Sequence, residues 1–230
     1  MKIGFTGIDL PEGKIKYKDE KLLALEEKDK PKKVSPFFAE LLHDEFTQSE
    51  AIAVPKSKIL DLLINDMDII DSRLTRSSDD NEKALLQKCM TKLEEEIPLC
   101  DVPFNEAELG ILNSLNLPSL KPVVLIDENN PDMDAIIAQA LDKANYMFFY
   151  TSGPTESHAW LVKKGSDIIT CAAKIHTDLA RGFIKGDVVG FEEYMGCHNF
   201  HDCISKGIAR VVDKDYIVQP EEVIEIRFNV

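Results

Sequence analysis

The stretch Ala172-Ala173-Lys174-Ile175-His176-Thr177-Asp178, followed by Arg181-Gly182-Phe183-Ile184, decides how the last third of the chain is read. Ala172, Ile175, Leu179 and Phe183 stand at helical spacing, which predicts a helix over 170–181 with one apolar face. On both sides the pattern shortens to strands, at 147–151, 158–163, 184–191, 214–218 and 223–228. A second short helix fits 199–207. Strands interrupted by one main helix imply a small α+β domain over 147–230.

Residues 1–146 carry a different pattern and form the other expected domain. Residues 1–14 read as a strand and a turn. Residues 15–55 are charged, with Pro31, Pro36 and Pro55, and their mixed pattern specifies no element. A helix at 57–76 shows a seam of Leu60, Leu63, Met67, Ile70 and Leu74. Ser77-Ser78-Asp79-Asp80 ends it and offers a cap for a helix at 81–97, seamed by Leu86, Met90, Leu93 and Ile97. The pair at 57–97 reads equally as an antiparallel helical hairpin or as two amphipathic helices packed on a domain. A third helix, 105–116, opens with Asn105 and Glu108 as a capping box. The run Lys121-Pro122-Val123-Val124-Leu125-Ile126-Asp127 predicts a buried parallel strand, and a helix at 132–144 comes after it, giving an α/β unit.

Charge narrows the partners. The 230 residues carry a net charge of −14, with −11 in residues 1–146 and −3 in 147–230. Such acidity disfavours broad non-specific nucleic-acid binding. Lys30, Lys32 and Lys33 form the one candidate basic run of the first half. No apolar run approaches the ~20 residues of a membrane span, and no signal-like start precedes the first strand, so cytoplasmic residence is expected. Five irregularly spaced cysteines predict reduced thiols.

Several segments occur together and in order: His158-Ala159-Trp160, the stretch 172–184, Phe191-Glu192-Glu193-Tyr194, Lys214-Asp215-Tyr216-Ile217-Val218-Gln219, and Arg227-Phe228-Asn229-Val230. This series resembles the TGS domain that ends proteins of the YchF (Obg-like ATPase) family. The resemblance implies a ubiquitin-like β-grasp fold for 147–230. More loosely, the helices at 57–97 and 105–116 and Leu120-Lys121-Pro122 resemble that family's helical insert and the strand after it. Lys30-Pro31-Lys32-Lys33 with Pro36 resembles a segment beyond its first switch region. The first domain is therefore expected to be an α/β remnant of a P-loop-type domain with a helical hairpin insert.

The nucleotide machinery that the resemblance implies is missing from the residues. A phosphate loop needs G-x-x-x-x-G-K-[ST], in which glycines free the backbone N–H groups, lysine neutralises charge and a hydroxyl binds Mg²⁺. Here five residues separate Gly7 from Gly13, Lys14 precedes Ile15, and Asp9 and Glu12 bring negative charge. The region expected to carry D-x-x-G, Glu40-Leu41-Leu42-His43-Asp44-Glu45, has no glycine, and Asp187-Val188-Val189-Gly190 falls in a predicted strand. The span from Lys14 to Lys30 is too short for the helix and switch loop of the family. For base recognition, the resemblance leaves Asn129 with Asp132 as a shifted remnant. The same residues read as a strand-to-helix turn with Asp132 as N-cap.

Other residues carry chemistry of their own. Cys197, His198, His201 and Cys203 place four zinc-compatible ligands within seven residues, although neighbours in one turn point in different directions. Lys174, His176, Asp178 and Arg181 form a candidate recognition surface, with structural packing as the competing role for His176. Ser152-Gly153-Pro154 is a turn, and Trp160 suits a core strand. No nucleophile–base–orienter set is legible. The expectation is a non-catalytic interaction module needing no cofactor, with a protein or ribosome/RNA partner reached through 147–230. The alternative is residual ATP or GTP binding with Mg²⁺, or weak hydrolysis, with base contacts from Asn129 and Asp132.

Overall fold

The amino-terminal half forms β1 (Lys2–Phe5), β2 (Gly13–Lys16), α1 (Glu20–Asp29), β3 (Lys33–Ser35), β4 (Phe38–His43), β5 (Ala51–Pro55), α2 (Ile59–Arg76), α3 (Asp80–Glu94), α4 (Glu106–Asn113), β6 (Val123–Ile126) and α5 (Met133–Lys143). Then come β7 (Tyr146–Thr151), β8 (Glu156–Lys163), α6 (Ile168–Ile175), α7 (Thr177–Arg181), β9 (Phe183–Gly190), α8 (Phe191–Met195), α9 (Phe200–Ser205), β10 (Arg210–Val212) and β11 (Glu222–Phe228). The structure is a computed structural model that describes residues 1–129 and 131–229.

Two units result, and their boundary differs from the expected one near 146. Met1–Ile15 with Phe38–Ala144 make the first, and Lys16–Phe37 with the chain from Asn145 onward make the second. The charged segment that named no element therefore leaves the first domain. Its α1 and β3 belong to the second core. Charge is redistributed accordingly: the first unit holds 11 basic and 24 acidic side chains, the second 16 and 17.

In the first unit the sheet runs β2-β4-β1-β5-β6, with β4, β1, β5 and β6 parallel. Ile52, Val54 and Val123 meet Leu62, Leu63 and Ile70 of α2 and Leu86, Cys89 and Leu93 of α3 in one core. Ile70 is buried and Met67 and Leu74 are partly buried, but Leu60 is exposed, because the stripe facing the sheet turns toward Leu62 and Asp66. Asp66 is fully buried and accepts from the Ser119 backbone N–H at 2.9 Å, and burial raises its carboxyl pKa.

The second sheet runs β10-β9-β11-β7-β8-β3. β7 and β8 form an antiparallel hairpin, β11 lies parallel to β7, β9 is antiparallel to β11 and to β10, and β3 adds to β8 in parallel. Successive side chains of a strand take opposite faces, and here both faces are buried. Phe149, Val188 and Ile224 pack with Ile168 and Cys171 of α6. Tyr150, Val189 and Val223 pack with Leu22 and Leu25 of α1 and with Phe191, Tyr194 and Phe200.

Two expected elements change. The helix predicted over 170–181 breaks at His176, whose φ of −163° and ψ of 140° are extended, so α6 and α7 are separate. The strand predicted over 214–218 is instead a turn, with Tyr216 N–H donating to Asp213 C=O, and the edge strand forms earlier as β10. Ile217 keeps only an isolated bridge to Asp167.

Because α1 closes one face, truncating its buried contact should unfold the second unit more easily. Leu25→Ala should cost about 2–5 kcal/mol in urea denaturation, whereas Leu23→Ala, at a position 40% exposed, should stay within about 0.5 kcal/mol.

Candidate functional site

Where a phosphate loop would stand, the chain leaves β1 at Thr6, whose N–H donates to Ala53 C=O, and turns at Gly7 and Gly13. Both glycines have positive φ, 72° and 95°. The turn leads into the edge strand β2, so no helix N-terminus points its free N–H groups or its dipole at the loop. Phe5, Gly7, Ile8, Asp9, Glu12 and His43 line an open cavity of ≈ 490 Å³ here. Its carboxylates, Asp9 and Glu12, oppose a phosphate. Lys14 lies exposed on β2, and the Lys58 side chain rests against Gly7, where a Cβ would come within 2.8 Å of Lys58 Cδ.

The expected switch segment is the end of β4, and Asp44 stands next in the left-handed region with φ 54°. Beyond β6, Asn129 turns back on Asp127, whose Oδ1 accepts from its backbone N–H at 3.0 Å and from its side-chain amide at 3.2 Å. Asp132 caps α5, accepting from Asp134 N–H at 3.0 Å and Ala135 N–H at 3.2 Å. Both residues of the supposed base-recognition pair are thus engaged in local backbone chemistry.

In the second unit, His176 caps α7: its Nδ1 accepts from the Asp178 N–H at 3.1 Å. Arg181 pairs with Asp178 at 2.9 Å. Lys174 and exposed Ile184 and Phe228 belong to the same unit. Other cations nearby in sequence are matched as well: Lys185 to Asp213, and Arg227 to buried Asp187 through two bonds of 2.6 and 2.7 Å. Balanced pairs of this kind fix geometry and contribute little net field.

The cysteine–histidine cluster does not converge. Cys197 and Cys203 are buried, whereas His198 and His201 are exposed. Burial and the neighbouring Cys197 push the Cys203 thiol up to about 12, the reverse of what a metal-binding thiolate needs. Among the described residues no group of three or more His, Cys, Asp or Glu could hold a metal. The reason is the helical turn itself, which sends adjacent side chains to opposite sides.

Asp19 and Asp29 take structural roles that no sequence motif announces. Asp19 is buried, caps α1 through Lys21 and Leu22 N–H, and accepts from the Tyr150 hydroxyl at 2.9 and 3.1 Å. Desolvation raises its pKa despite those bonds, and raises that of Tyr150. Asp29 accepts from Ser152 and Tyr194 hydroxyls at 2.6 Å each. A helix-cap pattern at Asp19 was the one available signal.

Known proteins resemble the chain in both units. Residues 146–229 match the YchF-GTPase C-terminal family, described as a protein of unknown function (DUF933). The chain is 26% identical over 237 residues to the ribosome-binding ATPase YchF of Bacillus subtilis, covering 74% of this chain and 65% of that one. Identity to the protein of the same name from Haemophilus influenzae is 34% over 100 residues, covering 44% and 28%. The chain thus spans two thirds or less of these relatives. The solved Schizosaccharomyces pombe YchF GTPase superposes with a TM-score of 0.78 at 16% identity, over 99% of this chain and 97% of that one, which establishes a shared fold.

Trp160 reports on the second unit, since His158 stacks on it with ring centroids 3.5 Å apart. Burial lowers the His158 pKa from 6.5, against the opposing pull of Glu156. The unfolded chain then takes up the proton first as pH falls, so the His158 contribution is intact above about 6.5 and is lost as pH drops toward the folded value. Denaturation followed by Trp160 fluorescence should show wild type losing more stability than His158→Gln between pH 7.5 and pH 5.5, on the order of 1 kcal/mol or less.

Proposed function

We propose that this YchF-related chain is a non-catalytic interaction module, in which the second unit meets a ribosomal or protein partner in the cytoplasm and the first unit no longer runs a nucleotide cycle. One observation carries the reading: the loop after β1 enters strand β2 instead of a helix and faces its cavity with Asp9 and Glu12. Phosphate binding depends on converging N–H groups and a neutralising cation, and both requirements fail together.

The β-grasp assignment of the second unit draws support from its strand order. The order β8-β7-β11-β9-β10, with β11 parallel to β7 and α6 after the hairpin, is the arrangement expected of a ubiquitin-like TGS domain. Helices α2 and α3 suit the role of the helical insert, as a hairpin packed on a parallel sheet. The relatives' description as ribosome-binding ATPases makes the ribosome the first partner to test.

The same name keeps residual nucleotide binding as the second reading, with Asn129 and Asp132 as base contacts. Calorimetry with ATP or GTP and Mg²⁺ should give no saturable heat, and phosphate release should equal the protein-free control. The chain should co-sediment with ribosomes whether or not nucleotide is added. Micromolar binding with turnover, abolished by Asn129→Ala and Asp132→Ala, would establish the second reading instead.

A further inference from the structure

We propose that the end of the second unit where α1 meets the β7–β8 turn binds the phosphate backbone of RNA, which rests on the reading of the chain as a ribosome-directed module. α1 ends at Asp29, and Lys30 comes next in the left-handed region, φ 45°, with its N–H bonded to Glu26 C=O. Lys32 N–H then donates to Pro154 C=O at 3.2 Å, which lays the basic run at 30–33 against the turn. Beside that turn lies an open cavity of ≈ 410 Å³ lined by Ser152, Gly153, Pro154, His198, Asn199 and His201.

The floor of this cavity is electrically quiet. Asp29, also part of its lining, accepts from Ser152, Tyr194 and Lys28, the last at 3.0 Å, and its side chain is only 6% exposed. The rim is not quiet. Lys30 and Lys32 are exposed and have no carboxylate partner among the described residues, while Lys33 pairs with Glu156. His198 and His201 add exposed imidazole donors, and Glu225 is the exposed carboxylate opposite them. Elsewhere in the unit Arg181, Lys185, Arg210 and Arg227 are each held by an acid. In a chain of net charge −14, unmatched lysines beside a donor-lined cavity form a local positive field.

RNA fits this surface better than an acidic protein does. Protein interfaces draw their energy from exposed aromatic or aliphatic anchors. None of the exposed large hydrophobic side chains lines this cavity, and Tyr194 and Phe200 are buried beneath it. Phosphate contacts need cations and N–H donors alone.

The test is fluorescence anisotropy of a labelled RNA oligonucleotide with the full chain across a KCl series. Lys30→Glu with Lys32→Glu should weaken binding by about ten-fold or more and reduce the slope of log K against log salt by about two. Lys174→Glu with Lys214→Glu, the same charge change at exposed lysines of the same unit, should alter affinity by less than about two-fold. Equal losses in both double variants, no loss in the first, or absence of RNA binding by the wild type overturns the surface. Competition by polyglutamate as effective as that of unlabelled RNA also overturns it, in favour of an acidic protein partner. Nucleotide turnover by the wild type would sink the non-catalytic reading while leaving this surface intact. Nucleotide-independent ribosome binding that survives Lys30→Glu with Lys32→Glu would do the reverse.

Discussion

The second unit depends on closing both faces of one six-stranded sheet. A sheet of this size built by β7–β11 has two apolar sides, and α6 can cover only one of them. α1 covers the other, although it lies more than a hundred residues earlier in the chain. Leu22 and Leu25 supply the apolar contact, each contributing about 1.5–3 kcal/mol if fully buried. Two hydroxyl–carboxylate contacts fix the register, Tyr150 with Asp19 at the start of α1 and Tyr194 with Asp29 at its end. Lys21 adds contacts to Glu192 at 3.3 Å and Glu221 at 3.2 Å, which are partly exposed and worth less.

That arrangement explains the distribution of charge and the fate of the nucleotide site together. The segment 16–37 brings seven lysines into the second unit and leaves the first strongly acidic. With β2 leading straight into this segment, no chain remains between the loop after β1 and α1 to form the helix on which a phosphate cradle depends. A single substitution could not restore it, because glycine spacing, hydroxyl and helix are all displaced.

Polar groups of the molecule are largely spent on structure. Asp132 and Asn105 cap helices, His176 caps α7, Asp66 holds Ser119, and Lys121 donates to the carbonyls of Phe46, Thr47 and Ser49. Such residues resemble site residues in sequence, since capping and ligand binding call on the same side chains. Few charged groups escape this use, which is why the unmatched lysines near the β7–β8 turn stand out.

Taken alone, the sequence determined what is local. The helical period placed α2, α3 and α5 close to their bounds, the β-branched run at 123–126 made a buried parallel strand, and Asn105 with Glu108 made a capping box. The failed spacing from Gly7 to Gly13 was legible for the same reason, because a loop's chemistry is written in consecutive residues. Tertiary structure alone decided where 16–37 belongs. Leu22 and Leu25 spell an amphipathic helix for any apolar partner, and nothing in the segment says that the partner is Tyr150, Val189 and Val223. It also decided the break at His176 and the burial of Cys197 away from His198, since both result from packing against a sheet whose strands are distant in sequence.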